Sequence, residues 1–336
     1  MNVRSVFIFA AMAVWAGSAS VSATNFTIQQ ITNNTVDDLF PALYNDTLAW
    51  SRGGTLAYKV GANLTTTAYA VTQHFDPIAV YGNNIAFNNI KAYNYNISTQ
   101  SLTELTPYSG AIFELDIYQN TIVWQHNTAP SFGEVSIYTL PSGPLTAIAP
   151  GVFNVHPSIY GNQIVMKGDT DIQLYNMTTQ QFTSVPGSNG GYFPEIYGNS
   201  IAWMDMDRTK IYYYNGSVTQ EIFAGSFPAA SDGGSVEIFD DIIVWSALDV
   251  EDGGADYEIF VYREGVVEQV THNNYNDWNP SIYDTIVVWS GQSDSDWELF
   301  STEVPPLPVV PPIPEPLSIC MMSIGMLISA LRKYLA

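Results

Sequence analysis

Apolar positions along this chain fall in short runs broken by Gly, Asn and Asp, and the runs recur in register. An aromatic residue is followed six positions later by a bulky apolar one seven times: Tyr44/Trp50, Tyr81/Phe87, Tyr118/Trp124, Tyr160/Met166, Tyr197/Trp203, Phe239/Trp245 and Tyr283/Trp289. Successive units start 37 to 44 residues apart. Between aromatic and anchor lies a turn pair such as Asn45-Asp46, Gly161-Asn162 or Asp284-Thr285. Gly, Asn and Asp tolerate the positive φ that a two-residue hairpin demands, so each unit opens with two short antiparallel strands. In the fourth unit the pairing sets Ile159, Ile164 and Met166 on one face and Tyr160 and Val165 on the other. Both faces are apolar, which predicts strands buried on both sides.

A second pattern follows each hairpin: a β-branched residue, two more, then tyrosine. It reads Ile90/Tyr93, Val135/Tyr138, Ile172/Tyr175, Ile211/Tyr214 and Ile259/Tyr262, with Thr55/Tyr58 and Leu299/Thr302 as weaker copies. A turn and a further strand come next, as in Phe182 to Val185 and Val266 to Thr271. Four strands in about forty residues is the content of one blade of a β-propeller. The seventh unit stops after its third strand, and an orphan strand, Phe26 to Thr32, stands ahead of the first. Thr32 precedes Tyr44 by the same twelve residues that separate Thr271 from Tyr283. The expected fold is therefore all-β: a single seven-bladed β-propeller of four-stranded antiparallel blades, closed by the N-terminal strand in the last blade, which removes two open sheet edges.

The two ends read differently. Residues 1–23 form a signal peptide: Arg4, the apolar run Val6 to Ala16, then small residues up to Ala23 for cleavage. The propeller occupies 24–303. Residues 304–316 are a proline-rich linker, seven prolines in thirteen residues, which favours an extended spacer. Residues 317–336 hold a fifteen-residue apolar stretch, Leu317 to Leu331, before Arg332 and Lys333, a short transmembrane helix with a basic end. The order Pro314, Glu315, Pro316, short apolar helix and basic terminus resembles the PEP-CTERM sorting signal of Gram-negative bacteria. That resemblance implies an exosortase-type membrane protease and the secretion machinery as partners, with transient anchoring in the inner membrane before the cell surface or medium is reached. The stretches Pro280 to Ser290 (PSIYDTIVVWS) and Tyr257 to Thr271 (YEIFVYREGVVEQVT) resemble TolB-like, WD40-like propeller repeats of microbial surface proteins. This second resemblance implies a fold but no activity.

Composition narrows the function. A net charge of −22, from 10 Lys and Arg against 32 Asp and Glu, excludes nucleic acid as a partner, because phosphate binding needs clustered cations. A single cysteine, Cys320, rules out an intrachain disulfide, so packing holds the propeller. The four histidines, His74, His126, His156 and His272, fall in different units without ligand spacing, and His156 fills the pre-proline slot of Phe40, Phe193 and Asn279. No catalytic residue and no cofactor follow from any motif. Carboxylates crowd the loop between second and third strands of the later units: Asp169, Asp171, Asp205, Asp207, Asp249, Glu251, Asp252, Asp256, Asp294 and Asp296. Of these, Asp249, Glu251, Asp252, Asp294 and Asp296 are candidates for calcium, which takes hard oxygen ligands. Trp278 and Trp297 suggest a sugar-stacking rim, although repeated aromatics are more simply explained by blade packing. The expectation is a non-enzymatic exported scaffold that contacts matrix polysaccharide or surface proteins. The rivals are a polysaccharide lyase or hydrolase with carboxylates in the channel, and a calcium-stabilised adhesin-like scaffold.

Overall fold

The computed structural model describes residues 24–72, 77–106, 111–128, 131–148, 155–227, 236–248, 256–293 and 296–307. The signal segment with Ala23, the Pro314-Glu315-Pro316 motif and the apolar tail lie outside the described residues. Residues 25–305 form one packed unit. Within it the described strands assemble into seven four-stranded antiparallel sheets. Blade 1 spans Asp38–Ala70, blade 2 Ile78–Glu104, blade 3 Ala111–Ile148, blade 4 Ser158–Ser184, blade 5 Gly191–Ala224 and blade 6 Val236–Gln269. Blade 7 joins the strands of Asp277–Glu303 to the N-terminal strand Gln29–Gln30, which pairs antiparallel with the third strand, Gln29 opposite Ser301 and Gln30 opposite Phe300. The ring is closed from the opposite end of the chain, as the repeat count requires.

The first turn residue of every inner hairpin has positive φ: Asn45, Gly82, Gln119, Gly161, Gly198, Asp240 and Asp284. In blade 4, Ile159 pairs with Ile164, and both join Met166 against blade 3, while Val165 joins Tyr160 against blade 5. This double-sided burial repeats around the ring. Seven apolar clusters form, one at each blade-to-blade interface. The anchors Trp50, Phe87, Trp124, Met166, Trp203, Trp245 and Trp289 are all at most 1 % exposed. Apolar area removed from water on both faces of each second strand is therefore the dominant stabilising term.

The orphan segment pairs over only two residues, fewer than Phe26 to Thr32 suggests. Beyond Gln30 the chain leaves the ladder and holds the blade by a polar latch. Thr32 Oγ1 accepts from Leu299 N at 2.8 Å. Asn34 donates from its backbone N to Glu298, and its Nδ2 reaches Asp38 Oδ2 at 2.6 Å. Asp38 Oδ1 in turn accepts from Trp50 Nε1 at 2.7 Å. The same chain of contacts joins blades 6 and 7. Thr271 accepts from Ile259 N at 2.8 Å, Asn273 N donates to Glu258 at 2.8 Å, Asn273 Nδ2 donates to Asp277 at 2.7 Å, and Trp289 donates to Asp277 at 3.0 Å. The twelve-residue match between Thr32–Tyr44 and Thr271–Tyr283 thus encodes a repeated joint between blades.

One position distinguishes the two joints. Asp38 lies opposite Arg52, whose Nε and Nη2 bind it at 2.9 and 3.1 Å. Asp277 lies opposite Gly291, where a Cβ would come within 2.6 Å of its Oδ1 and 2.7 Å of the Phe300 ring. A buried carboxylate with no cation beside it is disfavoured as the anion. Burial accordingly pushes Asp277 up to about 8, the neighbouring Glu258 carboxylate adding to the effect against bonds from Asn273, Thr271 and Trp289.

Candidate functional site

The inner strands of the seven blades surround a central channel. At one end of it stand the aromatics of the repeat. Tyr44, Tyr81, Tyr118, Tyr160, Tyr197, Phe239 and Tyr283 contact one another in an unbroken circle, with ring centroids 4.3 to 5.1 Å apart. All seven are half-buried. Such tilted contacts are the favoured geometry for aromatic pairs. Burial first, and then neighbouring phenols, push Tyr44, Tyr118 and Tyr160 above the ordinary tyrosine range. The collar is a ring of six phenols with one phenyl at Phe239.

Two residues inward from the collar, short polar side chains stitch neighbouring inner strands together. Asp116 Oδ2 accepts from Ile159 N at 2.7 Å and from Ser158 Oγ at 3.1 Å. Ser158 Oγ accepts from Ile196 N at 3.3 Å, and Ser281 Oγ accepts from Leu43 N at 3.1 Å. Each stitch satisfies an inner-strand N–H that has no ladder partner on the channel side. Asp116 is half-buried, and desolvation pushes its carboxyl up against these bonds.

Four residues before the collar aromatic, the backbone takes the left-handed conformation. Phe40, Glu114, His156, Phe193 and Asn279 have φ of 56°, 34°, 44°, 49° and 52°. In blades 1, 3, 5 and 7 the pairing register shifts at this slot, a bulge in the inner strand. A bulge re-aims a side chain relative to the pleat, and here all five residues line one cavity of about 130 Å³ on the propeller axis. Glu195 and Glu237 line it as well. Glu114 abuts His156 through Nδ1, and the His156 ring packs on Phe193 and Tyr192 with centroids at 4.0 and 4.5 Å.

The slot of His156 was legible as a repeat position, but its direction into the lumen was not. Glu114 and Asp116 carried no motif; their offset from Tyr118 is the only signal that could have found them. Asp171 accepts from Gln173 at 2.5 Å, and Asp205 accepts from Thr209 and Lys210 at its own hairpin. These loop carboxylates are bound locally and stand away from the channel lining. Asp296 begins the third strand of blade 7 opposite Ser293, half-buried. Asp249, Glu251, Asp252 and Asp294 lie outside the described residues. Among the described residues no three acidic, histidine or cysteine side chains gather as metal ligands. Trp278 and Trp297 do come together, stacked at 4.7 Å with Tyr257 at 6.1 Å from Trp278, all three half-buried.

These features define a seven-bladed propeller with a collared, acid-lined axial cavity. Comparison with known proteins supports that class. The chain is similar to the β-propeller domain of the Trilobed protease from Pyrococcus furiosus, with a TM-score of 0.61 and 11% identity over 83% of this chain and all of that domain. It is also similar to the Pyrococcus horikoshii acylaminoacyl peptidase, with a TM-score of 0.58 and 10% identity over 81% of this chain and 53% of the peptidase. A third likeness is to PorZ, an essential surface component of the type-IX secretion system of Porphyromonas gingivalis (TM-score 0.56, 12% identity, 83% of this chain and 38% of PorZ). The chain thus spans about half the peptidase and less of PorZ, and at such identities the likeness establishes the fold alone. No family model matches the sequence, and no curated protein does. The Trilobed protease propeller is described as an open velcro; here the N-terminal strand closes blade 7.

Proposed function

We propose that the chain is an exported surface or extracellular-matrix protein whose propeller is a non-enzymatic scaffold that binds protein or polysaccharide. The observation that carries this reading is the size of the axial cavity. At about 130 Å³ it is well below the roughly 300–1,000 Å³ of pockets that enclose drug-sized ligands. A polymer is therefore met on the outside of the disc, where wide, rigid faces favour contacts made without reordering. The signal peptide and the PEP-CTERM-like tail supply the route outward, with an exosortase-type protease acting on the tail. The test is a glycan array together with capture of matrix proteins on the mature chain, and saturable binding in one of them is expected. Blanks in both overturn the reading.

The contact of Glu114 with His156 favours a second reading, a lyase or hydrolase acting in the channel. An acid and a base within reach in one cavity is the geometry such chemistry needs. The cavity volume weighs against a polymeric substrate there. Turnover of a matrix polysaccharide by the mature chain, abolished in His156→Gln, would establish this reading over the first.

A further inference from the structure

The left-handed slot of the inner strand turns a side chain into the lumen, and in three blades that side chain is polar and more than nine-tenths buried. Glu114 is 6 % exposed, His156 7 % and Asn279 4 %. Oε1 of Glu114, Nε2 of His156 and Nδ2 of Asn279 meet no hydrogen-bonding group of the protein. Burial of polar atoms without partners is unfavourable, and natural folds keep such atoms where something else satisfies them. Here all three line the same cavity.

Their chemistry is complementary. His156 faces the Glu114 carboxylate with Nδ1. Blades 3 and 4 thus set a carboxylate oxygen, Glu114 Oε1, beside an imidazole nitrogen, His156 Nε2. Blade 7 offers a donor, Asn279 Nδ2. Asp116, Glu195 and Glu237 add carboxyl groups to the lining, and no Lys or Arg is among its described residues. Phe40 and Phe193, in the same slot, supply aromatic faces that attract an ammonium group. The absence of a three-ligand cluster among the described residues makes directed hydrogen bonds the better fit than metal coordination.

We infer that the axial cavity binds a small amino alcohol, its ammonium group donating to Glu114 beside the His156 ring and its hydroxyl accepting from Asn279. This site is independent of what the outer faces of the disc contact. Calorimetric titration of the mature chain with ethanolamine and 4-amino-1-butanol to about 10 mM, with glycerol and calcium chloride as comparison arms, tests it. At least one amine is expected to bind saturably, and Glu114→Gln to weaken it about tenfold or more, since a charge-assisted bond is lost. The His156 ring resonance, identified by its absence in His156→Gln, is expected to shift during the titration of the wild-type chain. That measurement stands even if Glu114→Gln fails to fold. No binding by either amine, equal binding of glycerol, an unmoved His156 resonance, affinity unchanged in Glu114→Gln, or calcium competing for the same site would each overturn the inference.

Discussion

The two blade joints differ at one residue, and that difference predicts how stability responds to pH. Asp277, without a facing cation, is held up to about 8, against an ordinary 3.8. The unfolded chain ionises this carboxyl near pH 4 while the folded chain keeps its proton to about pH 8. Between those limits the folded state binds the extra proton, so the contribution of Asp277 to stability is full below pH 4 and falls as pH rises. The slope of a single such group is about 1.4 kcal/mol per pH unit, for a total of at most about 6 kcal/mol. In Asp277→Asn the amide has no proton to lose, but it gives up the acceptor for Asn273 Nδ2, whose own Oδ1 is engaged by Tyr275 N. That loss is independent of pH and costs about 1–3 kcal/mol. The variant is therefore expected to be less stable than wild type at pH 4 and more stable at pH 8.5. The assay is urea unfolding of both proteins, followed by tryptophan fluorescence at half-unit steps of pH, with the difference in free energy as the readout. Subtracting the two curves cancels buried acids outside this joint, such as Glu298, which burial also raises, while Glu258, the neighbour of Asp277, reports as part of the joint. A difference that stays constant from pH 5 to 8.5 would falsify the account of the Asp277 joint.

Other consequences are testable by the same means. Arg52→Ala removes the cation from a fully buried Asp38 and is expected to destabilise by about 3–5 kcal/mol at neutral pH in urea unfolding; a loss below about 1 kcal/mol would refute the pairing. Asn34→Ala removes the Nδ2 bonds to Asp38 and Glu298 and keeps the backbone bond, for an expected loss of about 2–4 kcal/mol in thermal unfolding, whereas Ser101→Ala on the exposed outer strand of blade 2 should stay within about 0.5 kcal/mol. Trp203→Ala empties the middle of an interface and should cost about 3–5 kcal/mol with loss of near-ultraviolet dichroism. Alkaline titration at 295 nm is expected to leave more of the tyrosine absorbance unreleased at pH 11 in the folded chain than in urea, since Tyr95 and Tyr213 are pushed up to about 12 and Tyr118, Tyr160 and Tyr197 of the collar are raised as well. Full release at the ordinary value in both would contradict the collar.

Much of the architecture was legible in the chain because a propeller repeats its local instructions. The offset from Tyr160 to Met166 reports a two-residue hairpin, and a hairpin is a contact between neighbours in sequence. Its period of two assigns faces without knowing the partner blade. The clasp was legible too, since a missing strand at one end and a spare at the other leave one arrangement with no open edge. The extent of that strand was not: the polar latch at Thr32 and Asn34 displaces pairing after Gln30.

The axial site was beyond such reading. Glu114 and His156 are 42 positions apart and meet only because blades 3 and 4 are adjacent in a closed ring. Their side chains enter the lumen because φ is left-handed at one slot, a tertiary consequence of the bulge that no residue preference at Glu114 foretells. The contrast between Asp38 and Asp277 has the same origin, for the residue opposite each is set by strand pairing. Periodicity by itself determined blade count, strand order and which faces are apolar, because those follow from contacts between near neighbours. Closure of the ring decided which polar groups are buried together, and hence their charge and what they can hold, because burial depends on residues the chain brings in from far away.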